Sequence, residues 1–167
     1  MYNYAEVTVR KANLGEVDQI KEIIKEAYSL LKKELSREPG ALNEGLDKIS
    51  RHIQMGHQYI ALVGEVLVGT MRVRLRGTTG VISRVAVKKA FRKRRIGLAL
   101  VEYAENMLSY MNATCVQLEV YDAVEGQKEY YERMGYKETE RLDRDGETII
   151  LMQKSLCEEP EEEEEPL

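Results

Sequence analysis

The stretch that most restricts how this chain can fold is Val85 to Met111, VAVKKAFRKRRIGLALVEYAENMLSYM. A short β-branched run, Val85-Ala86-Val87, gives way to charged residues that cannot all be buried. Arg92-Lys93-Arg94-Arg95 follows, then Ile96-Gly97. Beyond it Leu98, Val101, Ala104, Leu108 and Met111 recur at three- and four-residue steps, the period of an amphipathic helix. Four cations therefore stand where a strand turns into a helix. A helix N-terminus offers unpaired N–H groups and the positive end of the helix dipole, and flanking arginines and lysine strengthen its preference for an anion. The spacing predicts a phosphate site at this turn.

The remaining elements can be read around that core. Val7 and Val9 alternate with polar residues in a short first strand. Val17, Ile20, Ile24, Ala27 and Leu31 mark one helix. A second is expected over Leu42 to Met55, with Leu46, Ile49 and Ile53 inward. Tyr59–Val63 and Val66–Leu75, joined by Gly64-Glu65, read as a hairpin. In its second strand Met71, Val73 and Leu75 alternate with Arg72, Arg74 and Arg76. That gives a core face and a basic face, read as solvated, with contact to an acidic substrate or partner as the alternative. A strand over Val81–Val87 delivers the chain to the basic turn. Thr114–Tyr121 is a further strand, with Val116, Leu118 and Val120 on one face and Gln117, Glu119 and Tyr121 on the other. A helix from Glu125 to Met134 ends at Gly135, and Tyr136–Leu142 and Thr148–Leu156 close the chain as strands.

Composition bounds the class. The formal net charge of −4 includes seven glutamates among the last ten residues, so the rest carries +3, the difference between −4 and −7. Residues 1–156 are expected to form one mildly basic domain. Residues 157–167 read as a disordered acidic tail, with an autoinhibitory arm reaching the basic turn as the alternative. No apolar run approaches the ~18 residues of a membrane span, and the N-terminus lacks the pattern of a signal peptide, so the expected compartment is the cytoplasm. Cys115 reads as core and Cys157 as free. His52 and His57 read as surface or packing residues, and no metal site is expected.

The run V-x-x-x-F-R-x-R-x-I-G-x-A-L, Val87 to Leu100, resembles the acetyl-CoA-binding motif of the GNAT superfamily of N-acetyltransferases. Tyr131-Glu132-Arg133-Met134-Gly135-Tyr136 is similar to the family's Y-E-x-x-G-F/Y signature. The resemblance implies an α/β (α+β) fold: a mixed, mostly antiparallel sheet of about seven strands with four helices, in the order β α α β β β α β α β β. It also implies acetyl-CoA as cosubstrate. Val85, Ala86 and Val87 would bond the pantetheine arm through their backbone, and Arg92, Lys93, Arg94, Arg95, Ile96, Gly97 and Leu98 would hold the pyrophosphate. Arg95 stands where the family usually has its first glycine. A second frame, Arg94-x-x-Gly97-x-Ala99, matches the letters but breaks the alignment with Phe91. Val124 stands where an asparagine often contacts the cofactor.

Carried over from the family, Tyr131 is the general acid beside the thioester sulfur. A phenol of pKa ~10 stays neutral at pH 7 and can donate to a departing thiolate. Glu119 is the candidate base, on a spacing similar to members that acetylate protein N-termini, including the ribosomal-protein type. Ser83 and Arg84 occupy places where relatives often carry an acid. A lysine amine, pKa ~10.4, is almost wholly protonated at pH 7, so the acceptor proton needs a destination. Attack is expected to be direct, since no Cys or Ser sits in a nucleophile setting. A protein N-terminus, a lysine side chain and a small amine all stay open as acceptor, and a homodimer is compatible with the sequence. The alternatives are a CoA-binding module or sensor of the same fold and, more remotely, a nucleic-acid binder using Arg92 to Arg95 and the Arg72, Arg74 and Arg76 stripe.

Overall fold

The computed structural model describes residues 7–157. The acidic run from Glu158 onward, with both readings of it, lies outside those residues. β1 (Val7–Lys11) leads through a short 3-10 turn into α1 (Val17–Lys32). A second 3-10 turn, Gly40–Asn43, precedes α2 (Leu46–Gln54). β2 (Gln58–Val63), β3 (Val66–Arg76) and β4 (Thr79–Val87) form a meander. The basic turn then opens α3 (Ile96–Tyr110). β5 (Cys115–Tyr121), α4 (Gln127–Glu132), β6 (Lys137–Arg144) and β7 (Glu147–Ser155) complete the order. The strands form one seven-stranded sheet, β1-β2-β3-β4-β5-β7-β6. β4 and β5 run parallel and the other neighbours antiparallel. With its four helices this is the architecture that the resemblance implied.

Helices cover both faces of the sheet. α3 packs Leu100, Val101, Ala104 and Leu108 onto Met71, Val73, Ile82 and Val116. Gly80 of β4 admits it closely: a Cβ there would overlap the Leu108 side chain. On the opposite face Ile20, Ile23 and Ile24 of α1 and Ile49 and Ile53 of α2 pack onto Ile60 and Ala86. Each Val, Leu, Ile or Met side chain so buried stabilises by about 1.5–3 kcal/mol relative to exposure. No helix among the described residues is long and apolar enough to cross a membrane.

Several local expectations are corrected. α2 begins at Leu46, because Gly40–Asn43 forms a separate turn and Gly45 stands extended as the N-cap. Leu46 is exposed, as is Leu75 near the end of β3, and Cys115 is half-buried. α4 starts only at Gln127, after left-handed Gly126. The largest correction concerns the basic face of β3. Arg72 is buried there, 4% exposed, and is not solvated.

The reason is a polar knot under α1 and α2. Glu44, 3% exposed, accepts from Arg72 Nη1 and Nη2 at 3.0 and 2.8 Å and from Arg84 Nε at 2.9 Å. Its backbone carbonyl accepts from Lys21 Nζ at 2.6 Å. Arg72 Nε also donates to Gln58 Oε1, and Gln58 Nε2 donates to Thr70 Oγ1. His52 packs beside this knot, 3.3 Å from His57 between their Nδ1 atoms, and burial and Arg72 push it down to about 4, so it is neutral at pH 7.

The knot sits beneath the opening of the sheet between β4 and β5. β4 pairs with β5 at Thr79–Cys115, Gly80–Val116 and Val81–Gln117, and the register ends there. Against β3, Thr70 lies opposite Ala86 and Arg72 opposite Ser83, so β4 carries one extra residue between them. Arg84 within that bulge has φ 53°, a left-handed conformation that bends the strand. β4 therefore leaves β5 after Val81 while staying paired with β3 as far as Val87.

Burial raises the Glu44 carboxyl, but the hydrogen bonds and charges of Arg72 and Arg84 outweigh it and bring it down to about 2. A depressed carboxylate contributes stability that is complete above its ordinary value of 4.5 and is lost as pH falls through about 2. Glu44→Gln should lower unfolding stability at pH 7 by about 3 kcal/mol, since two arginines lose their buried partner. In urea titrations the difference from the parent chain should shrink as pH drops from 4.5 toward 2. A pH-independent difference would contradict this account of the knot.

Candidate active site

The basic turn is built from unusual backbone. Lys93 has φ 61° and Arg95 φ 59°, both left-handed, and Arg95 is the N-cap of α3. Left-handed residues between ordinary ones turn successive N–H groups into an anion-binding nest, here running directly into a helix N-terminus. Arg95 thus takes the backbone conformation that a glycine in its place would adopt, at about 1 kcal/mol of strain, and adds a cation. Arg92 to Arg95 are exposed. The Arg94 guanidinium lies 5.2 Å from the centre of the Phe91 ring. Ile96 anchors the turn in the core at 2% exposure. A diphosphate fits this donor set, and the N–H groups and side chains of Arg92 to Leu98 would hold it.

Gly97 has a second reason to be glycine. A Cβ there would overlap the Tyr130 hydroxyl. Tyr130 and Tyr131 are adjacent in α4, their rings 5.1 Å apart and nearly perpendicular. Tyr130 turns toward the first turn of α3 and Tyr131 lines a cleft of about 680 Å³. Two neighbouring residues therefore join the anion-favouring turn to the cleft.

That cleft occupies the opening between β4 and β5. Val85 and Arg84 line it from β4, Glu119 and Tyr121 from β5, and Tyr28 from α1. Past Val81 the β5-facing edge of β4 has no strand partner among the described residues, which leaves backbone groups of Val85, Ala86 and Val87 available on that side. Ala86 itself is buried and Val87 half-buried. A loop ahead of α2 straps the opposite rim. Ser36 N and Oγ donate to Glu147 Oε1 at 2.8 and 3.1 Å, and Arg37 Nη1 stands 3.2 Å from Asp145 Oδ2.

Tyr131 is 8% exposed. Burial, then Tyr130 and Tyr28, push its phenol well above the ordinary range, so it stays protonated and can donate. Among the described residues nothing hydrogen-bonds its hydroxyl. Glu119 shares the cleft but has both oxygens engaged by Arg144, at 2.8 and 3.0 Å. Each oxygen keeps a further lone pair. Sequence reasoning passed over two phenols here. Burial pushes Tyr28 up to about 12 and also raises Tyr121, which feels Arg84, Glu119, Arg144 and Glu147. Tyr28 lies on the apolar face of its helix, four residues after Ile24 and three before Leu31, where it reads as a packing residue, and Tyr121 lies on the polar face of its strand, a signal no stronger than that of any amphipathic side chain. Val124 is buried at 8% and packs where a polar contact was sought. Among the described residues no group of three or more His, Cys, Asp or Glu is placed to hold a metal ion.

Residues 17–136 match the acetyltransferase (GNAT) family, and the chain belongs to that family. It is 31% identical over 105 residues to a provisionally named acetyltransferase of Bacillus subtilis (strain 168), a match spanning 62% of this chain and 65% of that protein's length. Its fold is similar to the PaiA N-acetyltransferase of Thermoplasma acidophilum, solved in complex with coenzyme A. There the TM-score is 0.79 at 17% identity, covering 90% of this chain and 99% of the other. It is also similar to the ribosomal-protein-S18-alanine N-acetyltransferase of Escherichia coli, with TM-score 0.73, 14% identity, and 94% and 98% coverage. At those identities the two structures speak for the fold alone.

Replacing Arg95 by Gly separates its two contributions. The variant should be more stable by about 0.5–1 kcal/mol, because glycine relieves the left-handed strain. It should bind CoA several-fold more weakly in calorimetry at low salt, a gap that narrows as salt rises and screening increases. Tighter CoA binding by the variant would show that Arg95 obstructs the turn.

Proposed function

We propose that the protein is an N-acetyltransferase that moves an acetyl group from acetyl-CoA to an amine by direct attack. The observation that carries this reading is the pair Tyr130 and Tyr131, one against Gly97 at the anion-favouring turn and the other in the cleft. Acetyl-CoA supplies the activated thioester. Backbone groups of Val85 to Val87 and the nest at Lys93 to Leu98 bind and orient it. The acceptor nitrogen forms its new bond to the acetyl carbon as the carbon–sulfur bond breaks. Tyr131, neutral and desolvated, donates to the departing sulfur. Glu119 receives the amine proton, directly or through water, while Arg144 holds the carboxylate in position. The acceptor side is the cleft under the Ser36–Arg37 strap, which has room for the end of a peptide or a small amine. A protein N-terminus of the ribosomal type is one acceptor of this kind.

Tyr131→Phe should reduce kcat by about 10²–10⁴-fold, the range for loss of a positioned acid, while CoA affinity by calorimetry changes less than about twofold. A fully active variant would remove Tyr131 from the mechanism. Glu119→Gln should lower kcat/KM most at neutral pH and less at alkaline pH, where more of the acceptor is already deprotonated. A uniform loss at all pH values would mark Glu119 as a brace for Arg144.

A further inference from the structure

The basic face of β3 divides into one arginine that the fold uses and two that it leaves over. Arg72 belongs to the Glu44 knot. Arg74 and Arg76 share its face of the strand and both line the cleft. The other cleft arginines are matched: Arg84 by Glu44 at 2.9 Å, Arg37 by Asp145 at 3.2 Å, and Arg144 by Glu119 at 2.8 Å. Among the described residues Arg74 and Arg76 have no acidic partner, and Arg74 is half-buried. A guanidinium withdrawn from water without a counter-ion is unfavourable unless something else completes it. The neighbourhood registers its charge: burial, then Arg74, push the His57 imidazole down.

Their position relates them to the reaction. Arg74 lies opposite Val81 and Arg76 opposite Thr79, on the side where β4 and β5 are still paired. β4 leaves β5 after Val81, and the diagonal from Arg74 to Ser83, which lines the cleft just inside that opening, spans about 7–8 Å. Along an extended peptide that separation is about two residues. We infer that the acceptor carries a carboxylate about two to three residues from its reacting amine, received by Arg74 and Arg76. The planar fork of arginine suits a carboxylate, and the pair selects against acceptors with a cation at that place. This inference rests on the acetyl-transfer reading of the cleft and names its substrate class.

The test uses the full chain saturated with acetyl-CoA and three peptides. They are identical except for acidic, neutral or basic side chains at their third and fourth residues, two and three residues on from the N-terminal amine. The acidic peptide should exceed the neutral one in kcat/KM by about tenfold or more, and the basic one should be slowest, with the spread compressed by salt. In the doubly substituted Arg74→Gln, Arg76→Gln chain the acidic-to-neutral ratio should fall to about one, and Arg74→Lys should retain part of it. Equal rates for acidic and neutral peptides, or a ratio unchanged in the double variant, would overturn the inference and leave acetyl transfer standing. If none of the three is acetylated, transfer to peptides is what fails. Calorimetry on the CoA-bound protein then decides the anion site. Arg74- and Arg76-dependent binding of the acidic peptide supports it, and equal or absent binding of acidic and neutral peptides refutes it.

Discussion

The pairing that β4 breaks with β5 after Val81 is the constraint on which the rest depends. A continuous sheet would have no cleft. Opening it exposes backbone polar groups, and the fold compensates locally. β4 keeps its ladder with β3, absorbs one extra residue, and bends at left-handed Arg84. Glu44 then ties Arg84 to Arg72 on the neighbouring strand. Two buried charges and the half-buried Arg84 have little net worth together as stability, but they admit one arrangement of loop, bulge and strand. The knot therefore sets the shape of the opening more than it strengthens the core.

A second coupling runs along the opening. α4 is short, and its two tyrosines face different surroundings. Tyr130 occupies the space that Gly97 leaves at the start of α3, so the helix whose N-terminus favours phosphate also positions the residue beside Tyr131. Edge-to-face contact with Tyr136, at 5.9 Å, fixes the Tyr131 ring from the other side. A shift of the turn would thus be felt at the phenol through one intervening ring. That is the sort of pre-organisation a transfer reaction requires, since catalytic groups must hold their geometry before the substrate arrives.

Much of this was legible in the residues. The strand–turn–helix stretch, the two faces of β5 and the hairpins follow from periods of two and 3.6 residues, and those set the fold. The cationic turn was legible because four charges in a row cannot be core. Other parts were hidden for physical reasons. Glu44 lies in an irregular loop, and nothing local shows that it is buried or that Arg72, 28 residues further along the chain in a strand, will join it. Periodicity placed Arg72 on a solvated face because alternation reports sides of a sheet and not what covers them. Tyr28 and Tyr121 meet only through the topology. The left-handed backbone at Arg95 was concealed by its identity, since an arginine gives no warning of a conformation that glycine favours.

The central claim is spatial: the turn before α3 holds a diphosphate so that the thiol end of the cofactor reaches the Tyr131 hydroxyl. A crystal structure of the chain with coenzyme A tests it most directly. The account expects the diphosphate on the N–H groups between Lys93 and Leu98 and the sulfur within about 3–4 Å of the phenol oxygen. A diphosphate bound elsewhere, or a sulfur on the far side of α4 from Tyr131, would contradict it.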